Sequence, residues 1–275
     1  MSYRVPSFSY PGGKARIRER LVKMMPSSGR RYVEPFVGRG NVFWLAAHML
    51  SYREWWLNDP WTARWLEAVL HVDLRKMPKK LTPVLARMYR SRALSDRASD
   101  DMAVVLEVQT MWAGGATSIN EHCRPSLEGF MRRILDARHI LQGMDAKITD
   151  KEWNRYGLEK LGEEDFVYMD PPYLGGHPPS YYHDTVDHLS LVRYLVDAPH
   201  LWMISGNPTQ TYKAYLGEPE ASWQVKRSLF RKRHIMKTTS LATECVWTNY
   251  TIEDDGSVTR KIMKRRRIRK KKLGK

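Results

Sequence analysis

A chain of 275 residues is long enough to bury a full core, and its net charge of +16 favours a polyanionic partner over the small substrates of a metabolic enzyme. Two cysteines, Cys123 and Cys245, lie far apart and in no ligand-like spacing, which argues against a disulfide framework or a zinc site and for a reducing cytoplasm. No basic start leads into an apolar stretch and no run approaches the ~20 apolar residues of a membrane span, so a soluble, unsecreted, cytoplasmic protein is expected.

In chain order, residues 9–14 form a glycine-containing loop that opens onto an amphipathic stretch, 15–25, with Ile17, Leu21 and Met24 at helical spacing. A phosphate-binding loop would need glycine at Phe8 and a hydroxyl residue at Ala15, so triphosphate binding is disfavoured. Residues 31–35 read as a first strand, followed by the turn Phe36-Val37-Gly38-Arg39-Gly40 and a helix from Asn41 to about Leu50. Glycines at such a turn let the backbone approach a ligand, and a helix N-terminus adds positive potential. Residues 54–57 form a second strand ending at Asn58-Asp59. A carboxylate at the end of the second strand of a Rossmann-like sheet can accept from both ribose hydroxyls, so Asp59 takes that role; it would equally serve as N-cap of the helix beginning near Trp61.

From residue 60 to 143 the pattern turns helical, with apolar periodicity over 61–72, 81–89, 102–111 and 127–144, interrupted by Gly114-Gly115-Ala116 and a polar loop, 117–125. Residues 147–149 form a further strand closed by Asp150. That side chain would lie near a bound adenine or cap the turn at 151–155, and capping is the favoured reading.

Residues 166–169, Phe-Val-Tyr-Met, are a buried strand stopped by Asp170-Pro171-Pro172-Tyr173. Prolines give up their N–H, so carbonyls at such a corner can point outward beside a carboxylate and a phenol ring. That set can hold a flat, amino-bearing ring. The loop 174–187 that follows carries glycines beside aromatics, as a flap would. His177, His183 and His188 with Asp184 match no standard metal spacing, and no metal is expected. An amphipathic helix over 189–196 and a strand over 201–204 resume the strand-helix alternation of a doubly wound sheet. The last strands, 223–230 and 244–250, are expected to pair antiparallel at one edge. After Glu253-Asp254-Asp255-Gly256 a basic tail begins; about eleven of the chain's cations lie in its last sixteen residues, where they would contact nucleic acid without reading its sequence.

Tyr10-Pro11-Gly12-Gly13-Lys14, Val33-Glu34-Pro35-Phe36-Val37-Gly38-Arg39-Gly40 and Asp170-Pro171-Pro172-Tyr173 resemble, in order and spacing, the Dam-type DNA adenine N6-methyltransferases. The resemblance covers roughly residues 8–60 and 145–250 and is weak between. It implies a Rossmann-like, doubly wound methyltransferase sheet, with 1–60 and 145–258 as the S-adenosylmethionine-dependent core, 61–144 as an inserted, mostly helical target-recognition region and 259–275 as a basic tail. Tyr10, Lys14, Glu34, Phe36, Gly38, Gly40, Asp59 and Asp170 would then bind S-adenosyl-L-methionine, and Asp170, Pro171 and Tyr173 would act on adenine in double-stranded DNA. Trp112, Asn120, His122 and Arg124 are the candidates for touching DNA within the recognition region, and Arg265, Arg266, Arg267 and Lys270 within the tail. The family commonly has a small residue where Arg39 stands. Arg39 is expected to point out, towards DNA or solvent; an inward Arg39 would mean that this placement of the cofactor is wrong. The competing readings are an RNA methyltransferase acting on an exocyclic amine and a non-catalytic DNA-binding protein on the same scaffold.

Overall fold

A computed structural model describes residues 4–8, 12–95, 99–112, 127–173, 186–229, 238–261 and 263. They make a mixed α/β protein with a mostly parallel, seven-stranded sheet, as the alternation of apolar runs and amphipathic stretches implies. The chain divides into two compact units, Met1–Lys160 and Leu161–Lys275. Among the described residues no helix is long and apolar enough to cross a membrane.

In the first unit, β1 (Ser28–Glu34), β2 (Ser51–Asn58) and β3 (Ala146–Thr149) are parallel and lie in the order β3-β2-β1. Parallel neighbours cannot be joined by a hairpin, so each connection carries helix. The short amphipathic stretch after the glycine loop is helical only over α1 (Arg18–Val22), and α2 (Phe43–Met49) joins β1 to β2. Phe43, Trp44 and Trp55 of this layer are buried, with Tyr32 packed 4.9 Å from Trp55, and aromatic burial of this kind contributes roughly 1.5–3 kcal/mol per ring.

Between β2 and β3 run α3 (Ala63–His71), α4 (Pro83–Ser95), α5 (Asp101–Trp112) and α6 (Leu127–Gln142), close to the four periodic stretches of the sequence. α3 packs on both α5 and α6, and α4 lies on α5. The last carbonyls of α3 are orphaned by helix geometry; Arg138 of α6 donates to Val69 O at 2.8 Å and Val72 O at 2.6 Å, which fixes the two helices together. Phe8, from the segment before the glycine loop, sits edge-on to Trp65 at 4.7 Å and contacts Trp44 and Phe130. The helices between β2 and β3 therefore close the core of the first unit.

In the second unit, β4 (Asp165–Met169) is buried along its whole length and pairs in parallel with β5 (Leu201–Gly206). α7 (His188–Asp197) connects them, its start capped by Asp187, which accepts from Leu189 N and Ser190 N. β7 (Thr238–Thr248) runs antiparallel to both β5 and β6 (Ala221–Leu229), so the order is β4-β5-β7-β6 with β6 outermost. α8 (Gln210–Leu216) precedes β6 and ends at Gly217, whose φ of 89° suits glycine.

Two features of this unit have no counterpart in the sequence reading. The strand expected to run to residue 250 breaks at Asn249, whose side chain accepts from Trp202 N and donates to His200 O. Beyond it, β8 (Tyr250–Ile252) and β9 (Val258–Arg260) form a separate hairpin, with Gly256 at φ 82° in the turn. Arg260, counted with the tail in the sequence, lies in β9 and donates to Ala198 O at the end of α7.

His200 is buried, with Tyr194 Oη 2.6 Å from Nε2 and Nδ1 3.0 Å from Leu201 O. The carbonyl can only accept, so Nδ1 carries the proton and Nε2 accepts from tyrosine. Burial above all pushes the imidazole down to about 4. A depressed histidine leaves the unfolded chain binding more protons than the folded one between about pH 6.5 and 4, so this group's contribution is intact above that window and lost as pH falls through it. Stability is expected to drop across the window by roughly 3 kcal/mol more in the native protein than in His200→Phe, measured by urea denaturation; equal slopes would contradict it.

Candidate active site

The first unit builds its candidate site at the C-terminal ends of β1 and β2. Glu34, the last residue of β1, is buried, and the hydroxyl of Tyr32, two residues back on the same face, donates to it at 2.7 Å. Phe36 is partly exposed. The turn that follows has Gly38 at φ 54° and Gly40 at φ 70°. The two glycines have different reasons. A Cβ on Gly40 would stand 2.8 Å from the Trp44 ring, so packing within α2 already requires glycine there. Gly38 is held by its own hydrogen bonds: its N–H donates to Asp59 Oδ2 at 3.0 Å, and its carbonyl accepts from Thr62 Oγ1 at 2.5 Å.

Asp59 is buried just past β2, and its other oxygen accepts from Trp61 N and Thr62 N, both at 2.9 Å. It thus caps the start of α3 and braces the glycine turn with one side chain. Burial raises its pKa despite these backbone donors. The neighbouring Asn58 ties three segments: its amide donates to Pro35 O and Lys151 O, and its Oδ1 accepts from Thr149 Oγ1 and Lys151 N. Asn41 does the same for the loop before the glycines, accepting from Phe8 N at 3.1 Å and donating to Phe8 O at 2.8 Å. Lys14 is buried, its Nζ donating to Gly12 O at 3.2 Å.

Arg39 corrects an expectation. It points inward, 3% exposed, with its guanidinium 4.8 Å over the Trp65 ring and 3.2 Å from Glu107 of α5. A buried cation is tolerable only with such a counter-charge. By the measure set in the sequence, the turn itself therefore no longer argues for a cofactor. Asp150 corrects another: it is exposed, and the 3₁₀ turn after it spans Trp153–Arg155 with Glu152 at the N-cap and no side-chain cap.

In the second unit the site is the end of β4. Asp170 is half-buried, with Pro171 buried behind it. Ser205 of β5 donates to Asp170 Oδ1 at 3.4 Å; a serine has one proton, so it accepts the hydrogen of Tyr168 Oη, 2.8 Å away. Tyr173 is anchored by its hydroxyl, which donates to Glu244 Oε2 of β7 at 2.5 Å. His188, first residue of α7, is buried with Nδ1 2.8 Å from Tyr212 Oη. Asp170 and Tyr173 are thereby each held through a side chain, from β5 and β7.

Sequence reasoning missed Asn41, Asn58, Ser205 and Glu244 as supports. Tyr10, Asn120, His122, Arg124, Arg265, Arg266, Arg267 and Lys270 lie outside the described residues, as do His177, His183 and Asp184. Trp112 is the last residue of α5. Among the described residues no group of three or more His, Cys, Asp or Glu is placed to hold a metal ion.

A mixed α/β architecture with a mostly parallel, seven-stranded sheet is compatible with a Rossmann-like methyltransferase fold. Residues 10–62 match the family model of the D12 class N6 adenine-specific DNA methyltransferases, and on that stretch the resemblance seen in the motifs holds. No curated protein matches the chain. Among solved structures it is similar to the precorrin 8w decarboxylase of Methanobacterium thermoautotrophicum, at 10% identity over 90% of this chain and 96% of that one, with a TM-score of 0.37; so slight a likeness carries no argument.

Proposed function

We propose that the chain transfers a methyl group from S-adenosyl-L-methionine to the N6 amine of adenine in double-stranded DNA. The observation that carries this reading is the family match over residues 10–62, which contains Lys14, Glu34, Phe36, Gly38, Gly40 and Asp59. These residues fit the group in their chemistry. A buried acid at Glu34 and a buried base at Lys14 suit a molecule bearing a sulfonium, an amine and a carboxylate. When bound, S-adenosyl-L-methionine supplies a methyl group on a sulfonium that leaves as a neutral thioether.

The exocyclic amine of adenine is a weak nucleophile because its lone pair is shared with the ring. The Asp170 carboxylate and the Pro171 carbonyl are acceptors for its two hydrogens, and accepting both draws the nitrogen towards tetrahedral geometry and frees that pair. The nitrogen gains the methyl group and gives up one proton, to Asp170 or to water. Tyr173 is the stacking surface for a base taken out of the duplex, which offsets an unstacking cost of a few kcal/mol. Its anchor on Glu244 holds the ring ready, so little ordering is left for the moment of binding.

Relaxed site preference goes with this reading, since Lys79, Lys80 and Arg87 on and before α4 are exposed and, with the basic tail, give contact to phosphates that no base sequence controls. A cytoplasmic setting is part of this reading, in keeping with two cysteines in no disulfide-like spacing. The test is incubation with methyl-labelled S-adenosyl-L-methionine and, in parallel, duplex DNA and RNA. Label in adenine N6 of the duplex is the expected result; label only in cytosine or RNA would overturn it. Single-base sequencing of methylated plasmid then reads site preference, and one sharp motif at every modified position would contradict relaxation.

A further inference from the structure

We infer that the ribbon formed by β6 and β7 is a docking arm for the duplex, lying in its major groove beside the adenine that reaches the Asp170 corner. The inference deepens the methyltransferase reading above and rests on it for the identity of the partner. Its geometry comes from strand register.

β5 pairs with β7 only from Met203 and Thr248 to Gly206 and Cys245, whereas β6 pairs with β7 from Ala221 and Val246 to Leu229 and Thr238. Because β7 is antiparallel to β5, its residues 238–244 run on past Gly206, the last residue of β5. With residues 223–229 of β6 they make a two-stranded ribbon that no third strand continues among the described residues. At ~3.3 Å per residue it reaches roughly 20 Å beyond the sheet.

The direction of this overhang ties it to the site. β4 and β5 are parallel, so Gly206 ends β5 at the same edge of the sheet to which β4 delivers Asp170. Glu244, at the root of the ribbon, accepts from the Tyr173 hydroxyl, and a Cβ on Gly206 would stand 4.0 Å from the Tyr173 ring. A duplex that gives up a base to Tyr173 therefore lies within reach of the ribbon.

Charge and shape name the partner. From residue 221 to 243 the sequence has no acid and six cations, Lys226, Arg227, Arg231, Lys232, Arg233 and Lys237; residues 230–237 lie outside the described ones, so the strands themselves carry Lys226 and Arg227. A single charge is enough to keep an edge strand from pairing with another chain, and a run of this length exceeds that need. A two-stranded ribbon is one of the two elements that the ~12 Å major groove admits. Cations on it meet the phosphates of the groove walls, which sets the orientation of the duplex without reading its sequence. The ribbon is braced by Gln224, which donates to Thr243 across it at 3.0 Å. Leu241, the register partner of Lys226, is 66% exposed, an apolar surface that a groove would cover.

Lys226→Gln combined with Arg227→Gln removes two phosphate contacts. The slope of log affinity for a duplex against log salt concentration should become shallower by about 1.8, and affinity should fall about tenfold, by the same factor on every sequence. The dissociation constant for S-adenosyl-L-methionine and the melting temperature should hold at their native values. An unchanged salt slope would overturn the inference. Leu241→Cys, made in a Cys123→Ser chain and carrying a photocrosslinker, locates the arm directly and serves even if the double variant fails to fold. Crosslinks to DNA within a few base pairs of the adenine that becomes methylated are the expected result. Crosslinks to a second protein chain alone, or none to DNA, would reject the arm. Native protein that labels no adenine removes the methyltransferase reading, and contact between ribbon and duplex is then judged on slope and crosslink alone; active native protein with an unchanged slope removes this inference alone.

Discussion

Asp170→Ala is expected to lower single-turnover methylation of duplex adenine by at least about 10³-fold, within the range seen when an acid-base group in direct contact with the reacting atoms is removed. The fold should not notice. Asp170 is half-buried at the end of β4, whose five residues are all buried, so truncating its side chain opens no core cavity. On the supporting side Ser205 lies 3.4 Å away, a long contact, and Ser205 keeps its bond to Tyr168. A stability change within about 0.5 kcal/mol is the outcome for such a position. Asp170→Asn sharpens the point: the amide keeps the size and one acceptor but presents N–H where an acceptor is needed, so it should be nearly as slow as alanine. Calorimetric binding of S-adenosyl-L-methionine to both variants separates a lost acceptor from a lost cofactor site. Turnover within tenfold of native in Asp170→Ala would remove the acceptor role.

The corner around Asp170 was legible because the information is local. An apolar run stopped by two prolines can be little other than a buried strand delivered to a turn, and β4 with the residues after it is that. The helices between β2 and β3 were legible for the same reason, as periodicity within one element. What the sequence could not supply is which distant side chain each of these residues meets. Gly40 looked like a ligand-approach glycine, and its need is the Trp44 ring four residues on. Asp59 looked like either a ribose acceptor or a helix cap, and the structure adds a bond to Gly38 that neither reading contained. His188 stood among histidines whose spacing fitted no metal site, and the partner it meets is Tyr212, 24 residues on. Asn41 and Phe8, 33 residues apart, leave no periodic trace. Polar residues buried by tertiary partners carry no pattern along the chain, which is why supports were missed where the corner itself was found.

Arg39 and Glu107 give the second large effect. The two are 68 residues apart, 3% and 7% exposed, and joined at 3.2 Å, so the carboxylate is the counter-charge for a guanidinium set in the turn between Gly38 and Gly40. Removing it by Glu107→Ala leaves a buried cation, which costs about 3–5 kcal/mol. The Trp65 face stays in place 4.8 Å from the guanidinium, but a cation-π contact is worth only about 1–2 kcal/mol and is present before and after the change. Thermal unfolding of Glu107→Ala should fall by roughly 10 °C on that scale. Little of the effect should vary with salt, because a buried pair is poorly screened. The double variant Arg39→Met with Glu107→Leu carries no buried charge and fills similar volume, so it should regain most of the loss, as apolar replacements of buried pairs do. Had Arg39 faced solvent as its sequence context suggested, Glu107→Ala would cost within about 0.5 kcal/mol and the double variant would offer no recovery, so the two melting curves discriminate between an inward and an outward arginine.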